Sequence, residues 1–231
     1  AQNLTFTITG GNDNHAFAIY PVSGELYVSD PDIIDYEVIT SQKITVQVTD
    51  DGAGNLSSSA EITININNVN DNAPVFKDTT VTHSEFAAEN EVIVEFETTD
   101  IDNLGGFTYS FVSGNENNIF YLQNGNGNRL YFSSNGFQNY LNYEDYQSFN
   151  LVIAVSDGDS ITEANVTINI VDINESPTID AFSFNVDEVT ENNTLVGTIS
   201  GTDPDIGQNL YYFIHYGNTG NVFILDSISG E

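Results

Sequence analysis

The chain has no cysteine, and its 231 residues hold three Lys and Arg against 34 Asp and Glu. The first absence excludes a disulfide framework. The second gives a net charge of −31, which disfavours nucleic acid and anionic membranes as partners. It also loads the compact state with self-repulsion that bound cations would relieve. No apolar run is long enough to span a bilayer. No leader peptide is read at the start, and Ala1 is not an initiating residue, so the sequence is expected to be a mature or excised fragment. His15, His83 and His215 are isolated from one another, which argues against zinc. No segment keeps helical spacing, and no Ser-His-Asp arrangement stands out.

What is present is an oxygen-rich stretch, Asn68-Val69-Asn70-Asp71-Asn72-Ala73-Pro74, between runs of alternating apolar and polar residues. Asp and Asn are costly to bury unpaired, but they suit a hard cation, since Ca²⁺ takes roughly six to eight oxygens from carboxylates, amides and carbonyls. Read alone, the stretch is equally a polar turn ended by Pro. It returns, however, as Asp172-Ile173-Asn174-Glu175-Ser176-Pro177, a step of 103 residues from Pro74 to Pro177. Other features keep that step: Asp100-Ile101-Asp102 with Asp203-Pro204-Asp205, Glu85 with Glu188, and Phe17 with Phe120 and Phe223. Residues 2–25 align without gaps to 208–231. The chain is a little over two copies of one unit.

Within the first copy, Leu4, Phe6 and Ile8 alternate with Thr, and Ile44, Val46 and Val48, then Ile62, Ile64 and Ile66, alternate with polar residues. Turn residues separate these runs, so several short strands are predicted in each unit of about a hundred residues, an antiparallel sandwich. The second copy repeats the plan, with an inserted segment from Gln123 to Leu141 rich in Asn, Gly and aromatics. The third supplies Phe182, Phe184 and Val186, Leu195 to Ile199, Tyr212 and Ile214, and Phe223 and Leu225 as strand residues. The acids recur at strand ends. In Asp35-Tyr36-Glu37 and Asn142-Tyr143-Glu144 the outer residues share one side of an extended chain, so both acids can face an ion while Tyr packs.

Together, Asn70-Asp71-Asn72-Ala73-Pro74, the X-Tyr-Glu triplets and the Asp-x-Asp pairs resemble cadherin repeats, over all 231 residues. The shorter form ending at Pro177 looks like the cadherin-like repeats of large bacterial surface proteins. The resemblance implies an all-β fold of tandem Greek-key, immunoglobulin-like sandwiches joined end to end, with Ca²⁺ at each junction. The implied repeats are 1–72, lacking its N-terminal strand, 73–175, complete, and 176–231, an N-terminal part.

Carried over by position, the first junction would use Asp35, Glu37, Asn70, Asp71, Asp100, Asp102 and Asp157, with carbonyls of Val69 and Asn72. The second would use Glu85, Glu144, Asp172, Asn174, Glu175, Asp203 and Asp205, with carbonyls of Ile173 and Ser176. Asn68 and Asn142 stand where the family has Asp, and each removes a charge.

The implied function is an extracellular, calcium-stiffened stalk for cell-surface adhesion, with neighbouring repeats and a homophilic or heterophilic surface protein as partners. No catalysis is expected, because paired acids that recur in every copy fit a structural role better than a glycosidase pair. Two alternatives stay open: a passive spacer, and a carbohydrate-binding module whose platform would be Tyr131, Phe132, Phe137, Tyr140, Tyr143 and Tyr146. Asn3, Asn55, Asn165 and Asn192 lie in Asn-x-Ser/Thr sequons. The lack of Trp removes support for adhesion through a Trp-anchored swapped strand.

Overall fold

A computed structural model describes residues 2–102, 104–123 and 127–231. They fall into two compact units. One holds Ala1–Lys77, Glu97–Ser110 and Ala154–Glu163, and the other holds Asp78–Phe96, Phe111–Ile153 and Ala164–Glu231. The oxygen-rich stretches 68–74 and 172–177, called the first and second linkers from here on, each lie inside one unit, together with the acids expected to gather around them.

In the first unit the alternating runs become β1 (Leu4–Gly10), β2 (Phe17–Ile19), β3 (Leu26–Val28), β4 (Ser41–Asp50) and β5 (Ser57–Asn65). β4 lies between β1 and β5, antiparallel to both, and β2 pairs with β3. Ala16, Phe17 and Ile44 are buried, with Ile8, Val46 and Ile64 packed against them. Beyond the linker, Val75 and Thr99 exchange backbone hydrogen bonds at 2.7 and 3.3 Å. Phe76 meets Tyr109 edge-on at 5.8 Å, and the Thr162 hydroxyl donates to the Pro74 carbonyl at 2.7 Å. These contacts anchor the end of the first linker.

The middle copy adds β6 (Thr79–Ser84), β7 (Val92–Glu95), β8 (Thr108–Ser113), β9 (Phe120–Leu122), β10 (Arg129–Phe132), β11 (Ser148–Ser156) and β12 (Ile161–Val171). They form two sheets, β7-β10-β9 and β6-β12-β11-β8. β6 runs parallel to β12, with Thr79–Ser84 opposite Val166–Val171. In the second unit Phe120, Leu130 and Phe132 from one sheet and Phe149, Leu151, Ile153, Val166 and Ile168 from the other are all buried. The Phe120 and Phe149 rings meet edge to face at 5.2 Å. Burial of this kind contributes about 1.5–3 kcal/mol per large side chain.

One local device recurs in all three copies. The Asn12 side chain clamps Phe17, accepting from its N–H and donating to its carbonyl. Asn115 does the same to Phe120, and Asn218 to Phe223. The glycine before the first two has no substitute: with φ of +75° at Gly11 and +87° at Gly114, an added Cβ would lie 2.0 Å from the Lys43 carbonyl and 2.2 Å from that of Asn150.

Three expectations are corrected. A short helix, α1 (Ser134–Asn139), forms in the inserted segment, where no helix was predicted; Ser133 caps it by accepting from Gly136 N–H at 3.0 Å. Residues 124–126 of that segment lie outside the described residues. In the third copy only β13 (Thr178–Ile179) and β14 (Gly201–Thr202) pair. The other predicted strand residues are not in strands, and Phe182 and Phe184 stack on each other at 6.0 Å. An extended segment becomes a strand only beside a partner, and β4, the partner that β1 has in the first copy, has no counterpart within 176–231. The X-Tyr-Glu triplets are turns, not extended chain: Asp35 Oδ1 accepts from Glu37 N–H at 2.9 Å, and Asn142 Oδ1 accepts from Glu144 N–H at 3.3 Å. The short polar side chain competes with the strand by capping its own backbone.

Candidate metal centre

The first cluster forms around Asp102, which is 2% exposed. Its Oδ2 accepts from the backbone N–H groups of Asp71 at 3.0 Å and Asn72 at 2.8 Å. Its Oδ1 accepts from Asn72 Nδ2 at 2.9 Å. Asn68 Nδ2 donates to the Asp102 carbonyl at 2.8 Å, and Asp100 Oδ1 caps the Asp102 N–H at 2.8 Å. Burial works to raise the Asp102 carboxyl, yet the bonds from Asn72 and Asp71 outweigh it and hold it below the usual range.

Glu37, Asp71 and Asp102 each bring one oxygen to a common point, all within 4.8 Å of one another. Burial pushes the Glu37 carboxyl up, and the charges of Asp102 and Asp35 add to that against a backbone hydrogen bond. Asp157 accepts from Ser160 and Asp159 N–H groups, which hold it low against burial, with the Asn70 side chain helping.

The second cluster forms around Glu85 and Asp205, which are 5% and 6% exposed. Glu85 accepts from Ile173 N–H at 2.6 Å and Tyr143 N–H at 2.8 Å, one oxygen to each. Asp205 Oδ2 accepts from Glu175 N–H at 2.9 Å, and Asp203 Oδ1 caps Asp205 N–H at 3.0 Å. Two overlapping sets converge within 4.8 Å: Glu85, Glu144 and Glu175, and Glu144, Asp172 and Asp205. Burial raises the Asp172 carboxyl, and so do the charges of Asp205 and Glu85. Burial likewise raises Glu175, followed by Glu85, Glu144, Asp205 and Asp172.

Whether these residues fit a cation is tested by their oxygens. Glu37 Oε1, Asn68 Oδ1, Asp100 Oδ2, Asp157 Oδ2, Glu144 Oε2 and Glu175 Oε2 are buried with no hydrogen-bond partner. Among the described residues, the one other such side-chain atom is Arg129 Nε. Buried polar atoms ordinarily find partners. Here the exceptions are oxygens gathered at the two linkers, the donor set of a hard cation. The fit is to Ca²⁺ rather than a thiophilic metal, for which the chain has no cysteine.

Several expected ligands also bond to neighbouring protein groups. Asp35 caps its own turn. Asn72 contributes its amide N–H groups, to Asp71 and Asp102, as well as its backbone. Ile173 offers its N–H to Glu85. Asn174 Nδ2 donates to the Glu175 carbonyl, and its Oδ1 accepts from Gln208 Nε2 at 2.8 Å. Val69 and Ser176, expected to lend carbonyls, are exposed. Sequence reasoning missed Gln208, though the recurrence of Gln2-Asn3-Leu4 as Gln208-Asn209-Leu210 was its signal.

A sequence model of the Cadherin domain matches residues 1–67. The "Fat-like cadherin-related tumor suppressor homolog" of Drosophila melanogaster is 29% identical over 241 residues, covering 99% of this chain. Residues 1–67 thus match the Cadherin domain, and the chain as a whole is similar to cadherin repeats. Human "Protocadherin-23" is 27% identical over 216 residues, with 91% of this chain covered. The chain spans only 5% and 6% of the length of these two cadherins. Among solved structures, human CDH23 EC21-23 superposes with a TM-score of 0.72 at 23% identity, covering 99% of this chain and 77% of that one. A protocadherin gammaB7 EC3-6 cis-dimer gives 0.68 at 23%, covering 99% and 59%. These likenesses establish the all-β cadherin fold, and the setting is extracellular. No helix among the described residues is long and apolar enough to cross a membrane. The relatives come from fly and mammals, so the bacterial origin expected from the shorter linker gains no support. A polysaccharide partner gains none either: Phe132 is buried, Tyr131 stacks on Tyr121 at 5.0 Å, and Tyr146 packs on Tyr140 and Phe149.

Proposed function

We propose that both linker clusters bind Ca²⁺ and that the bound ions order the linkers of an extracellular adhesion module. The observation that supports this most is the gathering of unpartnered buried oxygens at the linkers. On this reading the repeats divide at 1–72, 73–175 and 176–231. The ligands are Glu37, Asp71, Asp100, Asp102 and Asp157 at the first linker, and Glu85, Glu144, Asp172, Glu175, Asp203 and Asp205 at the second. Asp35, Asn70 and Asn174 and the carbonyls of Val69, Asn72, Ile173 and Ser176 complete the proposed shells. The acids act as ligands rather than as catalysts.

An ion offers each cluster what its own residues do not, a positive charge among crowded carboxylates. Binding to the folded form alone stabilises it by mass action. Extracellular modules bind Ca²⁺ at about 10⁻⁴–10⁻³ M, so the linkers would be ordered outside a cell and loosen as calcium falls. Protein partners, homophilic or heterophilic, would then be met by repeats whose linkers are fixed. A passive spacer is the second reading, since ordered linkers serve it equally. Thermal unfolding of the whole chain in millimolar calcium and in chelator tests the calcium step. A raised midpoint with calcium is expected; identical midpoints would reduce both clusters to acidic turns. Self-association in calcium by analytical ultracentrifugation favours adhesion, and a strict monomer favours the spacer.

A further inference from the structure

We propose that Asn55 and Asn192 are acceptors for N-linked oligosaccharide, whereas Asn3 and Asn165, in equally good sequons, are not used. The tripeptides Asn3-Leu4-Thr5, Asn55-Leu56-Ser57, Asn165-Val166-Thr167 and Asn192-Asn193-Thr194 match the acceptor pattern alike. All four asparagines are exposed, so exposure does not separate them. What their amides already hold does.

Asn3 grips Asp51 twice, with its backbone N–H on Oδ1 at 2.9 Å and Nδ2 on Oδ2 at 2.7 Å. These bonds hold the Asp51 carboxyl below its ordinary range. Asn165 lies within β12, between β6 and β11. Its backbone N–H and Nδ2 both donate to Asp78 Oδ1, at 2.7 and 3.2 Å. A sugar on either amide nitrogen replaces one of its two hydrogens and stands beside a carboxylate that the fold keeps in place.

Asn55 and Asn192 make no side-chain hydrogen bond among the described residues. Asn55 sits in the loop between β4 and β5 in the left-handed region, φ +45°, with its N–H on the Gly52 carbonyl at 3.1 Å. Asn192 precedes a second left-handed residue, Asn193 at φ +65°, in a turn closed by Thr194, whose N–H and hydroxyl both donate to the Glu191 carbonyl. Both sites are loops, where chain is accessible and additions are tolerated. Both lie outside the buried cores and outside the two acid clusters.

The chemistry balances with a lipid-pyrophosphate-linked oligosaccharide as donor. The Asn Nδ2 forms a bond to the anomeric carbon as the bond from that carbon to the pyrophosphate oxygen breaks. The electron pair leaves with the pyrophosphate, and the amide gives up one proton.

The test is secretion of the whole chain from a eukaryotic host, followed by enzymatic glycan release in heavy-oxygen water, which converts each formerly glycosylated Asn to labelled Asp. Peptide mass spectrometry should find the label at positions 55 and 192, with little or none at 3 and 165. Asn55→Gln and Asn192→Gln should each remove one glycan from the secreted chain, and Ser57→Ala and Thr194→Ala should do the same while leaving the asparagines in place. The unfolding midpoint should not move in Asn55→Gln or Asn192→Gln. No label at position 55 or 192 overturns that assignment, and label chiefly at 3 and 165 overturns the selection rule.

Discussion

The Asp102 carboxylate receives three hydrogen bonds from the first linker, two of them from backbone N–H groups. Asp205, its counterpart 103 residues on, receives one, from Glu175 N–H. The difference begins with linker composition. The first linker spends Asn68, Asn70 and Asn72 where amides can donate; the second puts Asp172 and Glu175 near Asp205, where they can only accept. The first cluster is thus tied together partly by its own protein bonds, while the second gathers more negative charge with less to hold it. Near-identical motifs yield one linker less dependent on an ion and one more dependent.

The largest expected effect follows from removing calcium. Hydrogen exchange at Ile173 and Glu175 N–H should accelerate in chelator by about tenfold more than at Asp71 and Asn72 N–H, a difference of about 1.4 kcal/mol in opening. Equal acceleration at the two linkers would break the comparison. Next in size are two alanine variants. Asp102→Ala should lower the unfolding midpoint on the order of 5 °C in calcium and in chelator alike, because it strands linker donors in both. Asp205→Ala should lower it in calcium mainly, and in chelator should change it little or raise it, since a repelling charge is gone.

Acidity separates the clusters in opposite senses. Asp172 and Glu175 have carboxyls raised in the folded chain, so their ionised forms penalise folding fully above the raised values. That penalty fades as pH falls from there towards the ordinary carboxylate range. Asp102 and Asp157 are held low, so the stability they contribute is complete above the ordinary range and is lost only as pH falls through the depressed values. In chelator, mild acid should therefore increase protection at Ile173 and Glu175 before it decreases protection at Asp71 and Asn72. Glu37, also raised, blunts the contrast without reversing it. The measurement is hydrogen exchange corrected for intrinsic rate across that range.

Much of this was legible in the residues. The 103-residue step exposed the copies, and the alternation of Leu4, Phe6 and Ile8 marked β1 because a half-buried strand demands it. The grouping of Glu37 with Asp102, and of Glu144 with Asp205, came from the resemblance to cadherin repeats, and the same oxygens converge in the structure. What stayed hidden was set by partners rather than pattern. Asp35 and Asn142 cap turns, a choice that depends on three residues of backbone and leaves no periodic trace. The strand-like apolar runs of the third copy lack neighbours to pair with, and Val189 and Ile206 are 90% and 87% exposed. The inserted segment hid a six-residue helix too short to show a period.

The smallest effect probes the cause of the contrast directly. Asn68 Nδ2 donates to the Asp102 carbonyl, and Asp172 is the acid that stands in its place in the shorter linker. Asn68→Asp should cost the first linker about 1 kcal/mol in chelator, from one lost hydrogen bond plus a carboxylate placed near Asp102. In calcium that cost should be offset, because the added charge is a ligand a hard cation prefers to an amide. The variant should thus have a larger midpoint gain on adding calcium than the parent chain, measured by thermal unfolding at matched ionic strength. A gain no larger than the parent's would mean that linker charge does not set calcium dependence, and the contrast between Asp102 and Asp205 would have to rest on backbone geometry alone.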